Sequence, residues 1–368
     1  MFTAMICLSL LLALGGPVIA MNTSYGMKKF DLKQRTLSSY WDNRNAKELS
    51  KKQFRRFLNL LFTDFRSYST VRVHKSLFNT FDTNGDGVIS VPEFEKMWKE
   101  WVQVILSPKF AILIVDVQND FIDGTLSVRN ISDNRNPECI VPVINDIAKS
   151  LPWNMVVYTQ DWHPKNHISF FENIHLRKLD CRNNFSAPAI KVFDTVRFAD
   201  NTTYLQFKEQ TLWPQHCVQN TWGAELHKDL VVIKGSLLIR KGMDPDVDSY
   251  SAFWDNDGGR QTKLHTELLA RGITDVVICG IAYDICVKST ALHAMKLGYR
   301  TTIVDDASCG TSSANTKAAK KLLLNKYGKF LQSSQLKKLF SGEDRPIYLG
   351  IQHAQAIARK MQKQKLRR

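Results

Sequence analysis

Two textures of apolar and polar positions divide the chain. Before residue 106 the apolar residues recur at helical spacing. In ELSKKQFRRFLNLLF, Leu49, Phe54, Phe57, Leu58 and Leu61 fall on one face, which predicts an amphipathic helix. A second helix is expected through 70–80 and a third in FEKMWKEWV, with an acidic segment between them. From about 109 the pattern changes to short apolar runs alternating with amphipathic stretches. AILIVDV, MVVYTQ, VVI with SLLI, DVVICGI and TTIVDD read as buried strands, and CIVPVINDIAKSL, QTKLHTELLARG and CVKSTALHAMKLG as helices. Continuous apolar strands separated by helices specify a mostly parallel sheet covered on both faces, a three-layer α/β domain. The segment 171–210, rich in Asn, Asp and Lys, is expected as a long surface excursion. The division that follows is a leader at 1–20, a small all-helical region at 28–106, an α/β domain at 109–316, and a helical, basic extension at 317–368.

Charge and cysteine usage change this picture little. Lys and Arg outnumber Asp and Glu by 50 to 35, a net +15, but much of the excess lies in 317–338 and in the final run from Arg359 to Arg368. No basic sheet interleaved with aromatics and no zinc finger accompanies it, so a solvated tail is expected and nucleic-acid binding is not. Residues 1–20 form an apolar run, short for a membrane span and ending in residues that suit signal-peptidase cleavage. The secretory pathway is the expectation if that leader is used, and a cytoplasmic or nuclear protein if translation starts at Met21; the leader reading is favoured. Neither leaves a stable membrane span in the mature chain. Sequons stand at Asn22, Asn130, Asn184 and Asn201. Outside the leader, six cysteines lack the dense spacing of a disulfide scaffold.

The acidic segment DTNGDGVISVPE has the spacing of an EF-hand calcium loop. Asp82, Asn84 and Asp86 occupy positions one, three and five, Gly87 six, Ser90 nine and Glu93 twelve, with the Val88 carbonyl at seven. Oxygen donors suit a hard cation, glycine permits the sharp bend, and Glu93 can bind through both oxygens. An acidic turn that binds nothing is the plainer alternative. Hands pair, and the partner is either the degenerate helical stretch before residue 66 or another subunit.

Four segments place reactive side chains just after apolar strands, at the carboxyl edge where open α/β sheets bind ligands. ILIVDVQNDF puts Asp116 at the end of a buried strand, where a carboxylate is costly unless paired or working. TQDWHPKNH carries Asp161, His163 and His167, and LWPQHCVQN adds His216; an Asp and two His with open positions fit zinc or a similar divalent metal. LLIRKGMDPDVDSYSAF gives Lys241 just beyond a strand, and a lysine beside a thiol stabilises a thiolate. In DVVICGIAYDICVKSTALHA a helix begins near Cys286, so this cysteine gains from the helix dipole and free amides. On that segment alone a buried structural thiol is as good a reading.

Taken together, DVQNDF, DWHPKNHISF, LWPQHCVQNTWG, RKGMDPDVDSYSAF and GIAYDICVKSTALHA resemble, in order, the motifs of the isochorismatase-like cysteine hydrolase superfamily, and within it the nicotinamidases. The resemblance spans roughly 109–310 and implies a Rossmann-like fold. It implies Cys286 as nucleophile, Asp116 as general acid and base, and Lys241 as the cation that holds the thiolate and aligns Asp116. It implies a cis Ile281–Ala282 peptide and an oxyanion hole from the amides of Ala282 and Cys286. A divalent transition metal, zinc by expectation, would be held by Asp161, His163 and His216, with His167 a second-choice ligand, and Phe121 and Trp213 would sandwich a pyridine. The implied reaction is hydrolysis of nicotinamide to nicotinate and ammonia through a cysteine thioester, feeding NAD salvage. An extra amino-terminal EF-hand region fits an animal-type member, and a homo-oligomer is compatible with this reading. The alternatives are another small amide or carbamoyl compound on the same fold, or a catalytically inactive calcium-sensing scaffold.

Overall fold

The structure, a computed structural model, describes residues 48–68, 71–131, 136–183, 189–200 and 206–366. The expected leader at 1–20, the start at Met21, residues 28–47 of the helical region, and the sequons at Asn22, Asn184 and Asn201 lie outside the described residues. Asn130 is exposed on a short helix, Val128–Ile131. Among the described residues no helix is long and apolar enough to cross a membrane.

The amino-terminal region opens differently from the helix its periodicity predicts. Glu48–Ser50 is a short strand, β1, and the helix α1 runs over Lys51–Leu61. Ser50 caps α1: its backbone N–H donates to Gln53 Oε1 at 2.9 Å, and the Gln53 N–H returns to Ser50 Oγ. Leu49 is still buried, but from a strand rather than from the helical stripe. Helix α2 (Val71–Phe81) leads into the 82–93 loop, which contains β2 (Val88–Ser90), and α3 (Val91–Met97) follows. The helix continues through a π-helical turn at Trp98–Val102 to Leu106. Strands β1 and β2 pair antiparallel with Leu49 opposite Ile89. The register sets Glu48 opposite Ser90 and Ser50 opposite Val88, and Ser50 and Gln53 repeat the spacing of Ser90 and Glu93. Among the described residues, the partner of the 82–93 hand is the stretch 48–61, with a neutral amide at Gln53 where the complete loop has Glu93.

The α/β domain follows the expected order. Its parallel strands are β3 (Phe110–Val115), β4 (Met155–Asp161), β7 (Leu237–Lys241), β8 (Asp275–Ile281), β9 (Arg300–Cys309) and β10 (Lys329–Leu331), arranged β10-β9-β8-β3-β4-β7. Alternation along β3 explains the three layers. Phe110, Ile112 and Ile114 enter one core with Ile140, Ile144 and Ile147 of α4 (Ile140–Ser150). Ala111, Leu113 and Val115 enter the other, with Leu264 and Leu268 of α5 (Leu264–Ala270) and Ala291 and Ala294 of α6 (Lys288–Leu297). Helix α7 (Ser313–Leu324) adds Ala319 and Leu323 to that second core.

Three expectations are corrected by packing. Of the pair VVI and SLLI, only the second is a strand, β7. The 171–210 excursion is more than surface loop: β5 (Thr195–Ala199) and β6 (Phe207–Thr211) form an antiparallel hairpin with its own core of Ile168, Ile190, Val196, Phe198 and Leu212. The expected extension at 317–368 begins inside α7 and contributes β10, the edge strand beside β9. It then ends in the long helix α8 (Ile347–Lys365).

Candidate active site

Four neighbouring strands, β8, β3, β4 and β7, deliver the reactive side chains from their carboxyl ends. The parallel register sets Asp161 beside Lys241 and Val115, the residue before Asp116, beside Gly280. Gly280 makes the approach possible: it sits at φ 121°, and a Cβ there would lie 2.0 Å from the Val115 carbonyl oxygen. The Ile281–Ala282 peptide beyond it is cis. The chain then enters a π-helical turn, Tyr283–Val287, that carries Cys286 into α6.

Lys241 is the hub of the site. Its side chain is fully buried, and Nζ lies 2.9 Å from Asp116 Oδ2 and 2.5 Å from Asp161 Oδ1. The same ammonium donates to the Ser249 carbonyl at 2.9 Å and reaches Cys286 Sγ at 3.5 Å. Carboxylate oxygens of Asp116 and Asp161 and the Cys286 sulfur all fall within 4.8 Å of one another. Asp116 is held at φ 50°, a conformation rarely adopted by side-chain-bearing residues. The Thr159 hydroxyl fixes its orientation, accepting the Asp116 N–H at 3.1 Å and donating to Oδ1 at 2.5 Å.

Burial and these charges set the protonation states. Burial lowers the proton affinity of Lys241, but the two carboxylates outweigh it and hold the ammonium well above its ordinary range. Asp161 is pushed up by burial and pulled down more strongly by Lys241 and His163, so it stays a carboxylate. Asp116 moves upward, because burial and the Asp161 charge exceed the pull of Lys241. Burial pushes the Cys286 thiol well up, Lys241 opposes this, and the Asp116 charge adds to it. The helix-terminus argument therefore does not yield a resting thiolate. Cys286 rests as a thiol beside a carboxylate of raised proton affinity.

Asp161 joins this cluster to a second one. Ligand atoms of Asp161, His163 and His216 lie within 4.8 Å of one another and all three residues are buried. The outward nitrogens of both histidines are committed: His163 Nδ1 lies 2.8 Å from the Gly242 carbonyl and His216 Nδ1 2.8 Å from the Pro214 carbonyl. Each Nδ1–H donates and so fixes its ring, as backbone carbonyls do for metal-ligating histidines. Burial lowers His163, but the Asp161 carboxylate, 3.6 Å from its Nε2, outweighs this and raises it. Burial brings His216 down to about 4 and His167 well below the ordinary value, so both are neutral near pH 7. His167 stacks 4.1 Å from His163, its Nδ1 is engaged by Ser169 Oγ, and its buried Nε2 has no partner. One carboxylate and three imidazoles, one of them with a buried nitrogen left without a partner, fit a divalent transition metal.

The two aromatic candidates have different neighbours. Phe121 packs against His216 with centroids 5.6 Å apart, while Trp213 faces Phe193 and Tyr250 at 5.9 and 6.5 Å. Three supporting residues escaped the sequence reading. Thr159 is one; Gln118 clamps both the N–H and the C=O of Asp161 at 2.8 Å, and Asp120 accepts the Cys217 N–H at 2.7 Å. Gln118 and Asp120 lie inside DVQNDF, where polar residues directly after a buried strand were the available signal. The calcium-loop residues form a separate group. Asp82 accepts from the Gly85 and Gly87 N–H groups and Asp86 from that of Val88, while Glu93 accepts from Thr83 and Ser90. These bonds tie the loop's carboxylates to its own backbone N–H groups.

A family model for the isochorismatase domain matches residues 110–335, and one for the EF hand matches 75–98. The chain belongs to the isochorismatase family. Among its isochorismatase relatives, the nicotinamidase of Acinetobacter baylyi is 41% identical over 198 residues, 54% of this chain and 79% of that protein. The nicotinamidase of Schizosaccharomyces pombe is 40% identical over 57% of this chain and 86% of its own. In structure, an Acinetobacter baumanii nicotinamidase and pyrazinamidase superposes with a TM-score of 0.52 and 37% identity, covering 62% of this chain and 99% of that one. The yeast nicotinamidase bound to the inhibitor nicotinaldehyde gives 0.51 and 29%, covering 61% and 99%. The three-layer domain with its parallel sheet is thus the family's fold, preceded here by a helical region with an EF hand.

Proposed function

We propose that the protein is a nicotinamidase, hydrolysing nicotinamide to nicotinate and ammonia through a thioester on Cys286, with nicotinate available to NAD salvage. The observation that carries this is the single buried cluster in which Lys241 touches Asp116, Asp161 and Cys286, with Asp161 shared with the histidine set. Identity to nicotinamidases over most of their length supports the substrate.

Asp161, His163 and His216, with His167 as a further donor, would hold the metal, zinc by the chemistry of the donors. When bound, it supplies a Lewis-acidic attachment point for the ring nitrogen of the substrate. Phe121 and Trp213 flank the pyridine, so the carboxamide carbon faces Cys286. Asp116 takes the thiol proton as sulfur attacks that carbon, and Lys241 compensates the charge left on the pair. The amides of Ala282 and Cys286 receive the developing oxyanion. Collapse breaks the C–N bond, and Asp116 returns its proton to the departing ammonia. Water then attacks the thioester with Asp116 again as base, the C–S bond breaks, and the thiol is restored. The raised proton affinity of Asp116, due chiefly to burial, suits it to take the thiol proton in this shuttle.

The 82–93 loop is assigned to calcium, through Asp82, Asn84, Asp86, the Val88 carbonyl, Ser90 and Glu93. Incubation of the purified protein with nicotinamide, with ammonia as readout, tests the catalytic assignment. Release is expected from the parent protein and should vanish in Cys286→Ala; an inert parent or an active variant would refute the mechanism.

A further inference from the structure

The carboxy-terminal helix α8 lies between the hands and the catalytic sheet, and both of its sides are bonded. Toward the hands, the chain leading into it is fixed by Arg345, whose Nε donates to the Leu61 carbonyl at 2.7 Å, and by the Ile347 N–H on Asp64 Oδ1 at 2.8 Å. Within α8, the Gly350 carbonyl accepts the Trp101 indole N–H at 2.8 Å. A Cβ at Gly350 would lie 2.3 Å from the Phe62 ring, so only glycine allows this approach. Two turns on, Ile357 and Met361 share a crevice with Thr83, Met97 and Glu93, the twelfth position of the calcium loop.

The other side of α8 grips the catalytic domain. Gln352 pairs with both the N–H and the C=O of Thr301 in β9, at 2.8 and 3.2 Å. Arg359 donates to the Met295 carbonyl of α6 at 3.0 Å. That helix continues without a break from the turn that bears Cys286. One rigid element thus touches the calcium loop through its apolar stripe and the helix behind the nucleophile through its polar side.

Paired EF hands bind an amphipathic helix in an apolar groove, and calcium changes how open that groove is. We propose that α8 is the built-in target helix of these hands, and that calcium at 82–93 sets how firmly they hold it. The inference rests on the calcium reading of the loop. Calcium drawn onto Glu93 acts on α3, which begins two residues earlier and carries Met97 against Ile357 and Met361. Coupling is reciprocal, so whatever calcium adds to the docking of α8, the docking adds to calcium affinity. A coupling of the usual size changes each by about fivefold to 150-fold.

The test uses the full chain in three forms: parent, Ile357→Ala and Met361→Glu. Calcium affinity is measured by calorimetry, and amide exchange by mass spectrometry with calcium or with chelator. In the parent, calcium should slow exchange across 347–361 at least fivefold and also slow it in 288–297, while both variants bind calcium at least fivefold more weakly. Met361 is only half-buried near the helix end, so its variant retains the fold if Ile357→Ala does not, and the parent exchange experiment needs no variant. Calcium binding that is equal in all three forms, with unchanged exchange at 347–361, overturns the latch while leaving the calcium site standing. No calcium heat and no protection anywhere in 71–97 of the parent removes the calcium reading, and the latch with it.

Discussion

Replacing Lys241 with methionine isolates the electrostatics of the site, because the side chain keeps its length and loses its charge. In the parent, the ammonium compensates two buried carboxylates and meets a carbonyl and a thiol at 2.5 to 3.5 Å. Breaking a buried ion pair from one side costs about 3–5 kcal/mol, and here two acids are left uncompensated, so the upper end of that range is expected at pH 7. The sign with pH follows from Asp161. Lys241 holds its native carboxyl well below the usual range, so this stabilisation is present above the unfolded value and lost only as pH falls through the native one. In Lys241→Met burial acts unopposed by the lysine and raises both acids, so native-state protonation relieves the penalty as pH drops. The stability gap between parent and variant is therefore largest near pH 8 and narrows toward pH 5. Activity should fall about 10²-fold to 10³-fold, the usual effect of removing one preorganised donor. Urea unfolding across that pH range, with ammonia release in parallel, measures both. A gap under about 1 kcal/mol at pH 7, a gap independent of pH, or activity within threefold of the parent would refute the reasoning.

Thr159→Val removes the hydroxyl bond that lowers the Asp116 carboxyl, so the acid limb of kcat/KM moves to higher pH. On that limb the rate should fall about tenfold, and an unmoved limb would remove Thr159 from the proton shuttle. Gly280→Ala would press a methyl onto the Val115 carbonyl at a backbone angle alanine resists, and a loss of about 3 kcal/mol or more is expected in thermal unfolding. Dialysis against a strong chelator should abolish ammonia release, with recovery when zinc is restored to one per chain. Full activity in metal-free protein would show that the histidine cluster has another role.

How much of this was legible depended on whether a signal was local. Strands β3, β4, β8 and β9 begin as apolar runs that read directly from their own residues, while of the VVI and SLLI pair only the second is a strand. The twelve-residue EF-hand loop is equally self-contained. Strand β1 was not legible, because Leu49 satisfies the helical stripe of α1 as well as a strand pairing. Only Ile89, forty residues away, decides between them. Strand β10 failed for a similar reason: KFL is too short to signal alone and is fixed by the neighbouring β9.

The active site divides along the same line. Asp116, Lys241 and Cys286 were each ambiguous in their own segments and became informative through the order of their motifs, because strand order in a parallel sheet brings distant segments to one edge. The protonation states were out of reach of that argument. A helix terminus predicts a thiolate, but the field at Cys286 is the sum of burial, one cation and two carboxylates, and only their distances decide it. Burial, reinforced by neighbouring carboxylate charge, makes the thiol hard to ionise and, with the Asp161 charge, gives Asp116 the proton affinity to receive its proton. Resting neutrality of the nucleophile and competence of the base are thus one electrostatic arrangement, and a substitution that frees the thiolate by removing a carboxylate must also disable the shuttle.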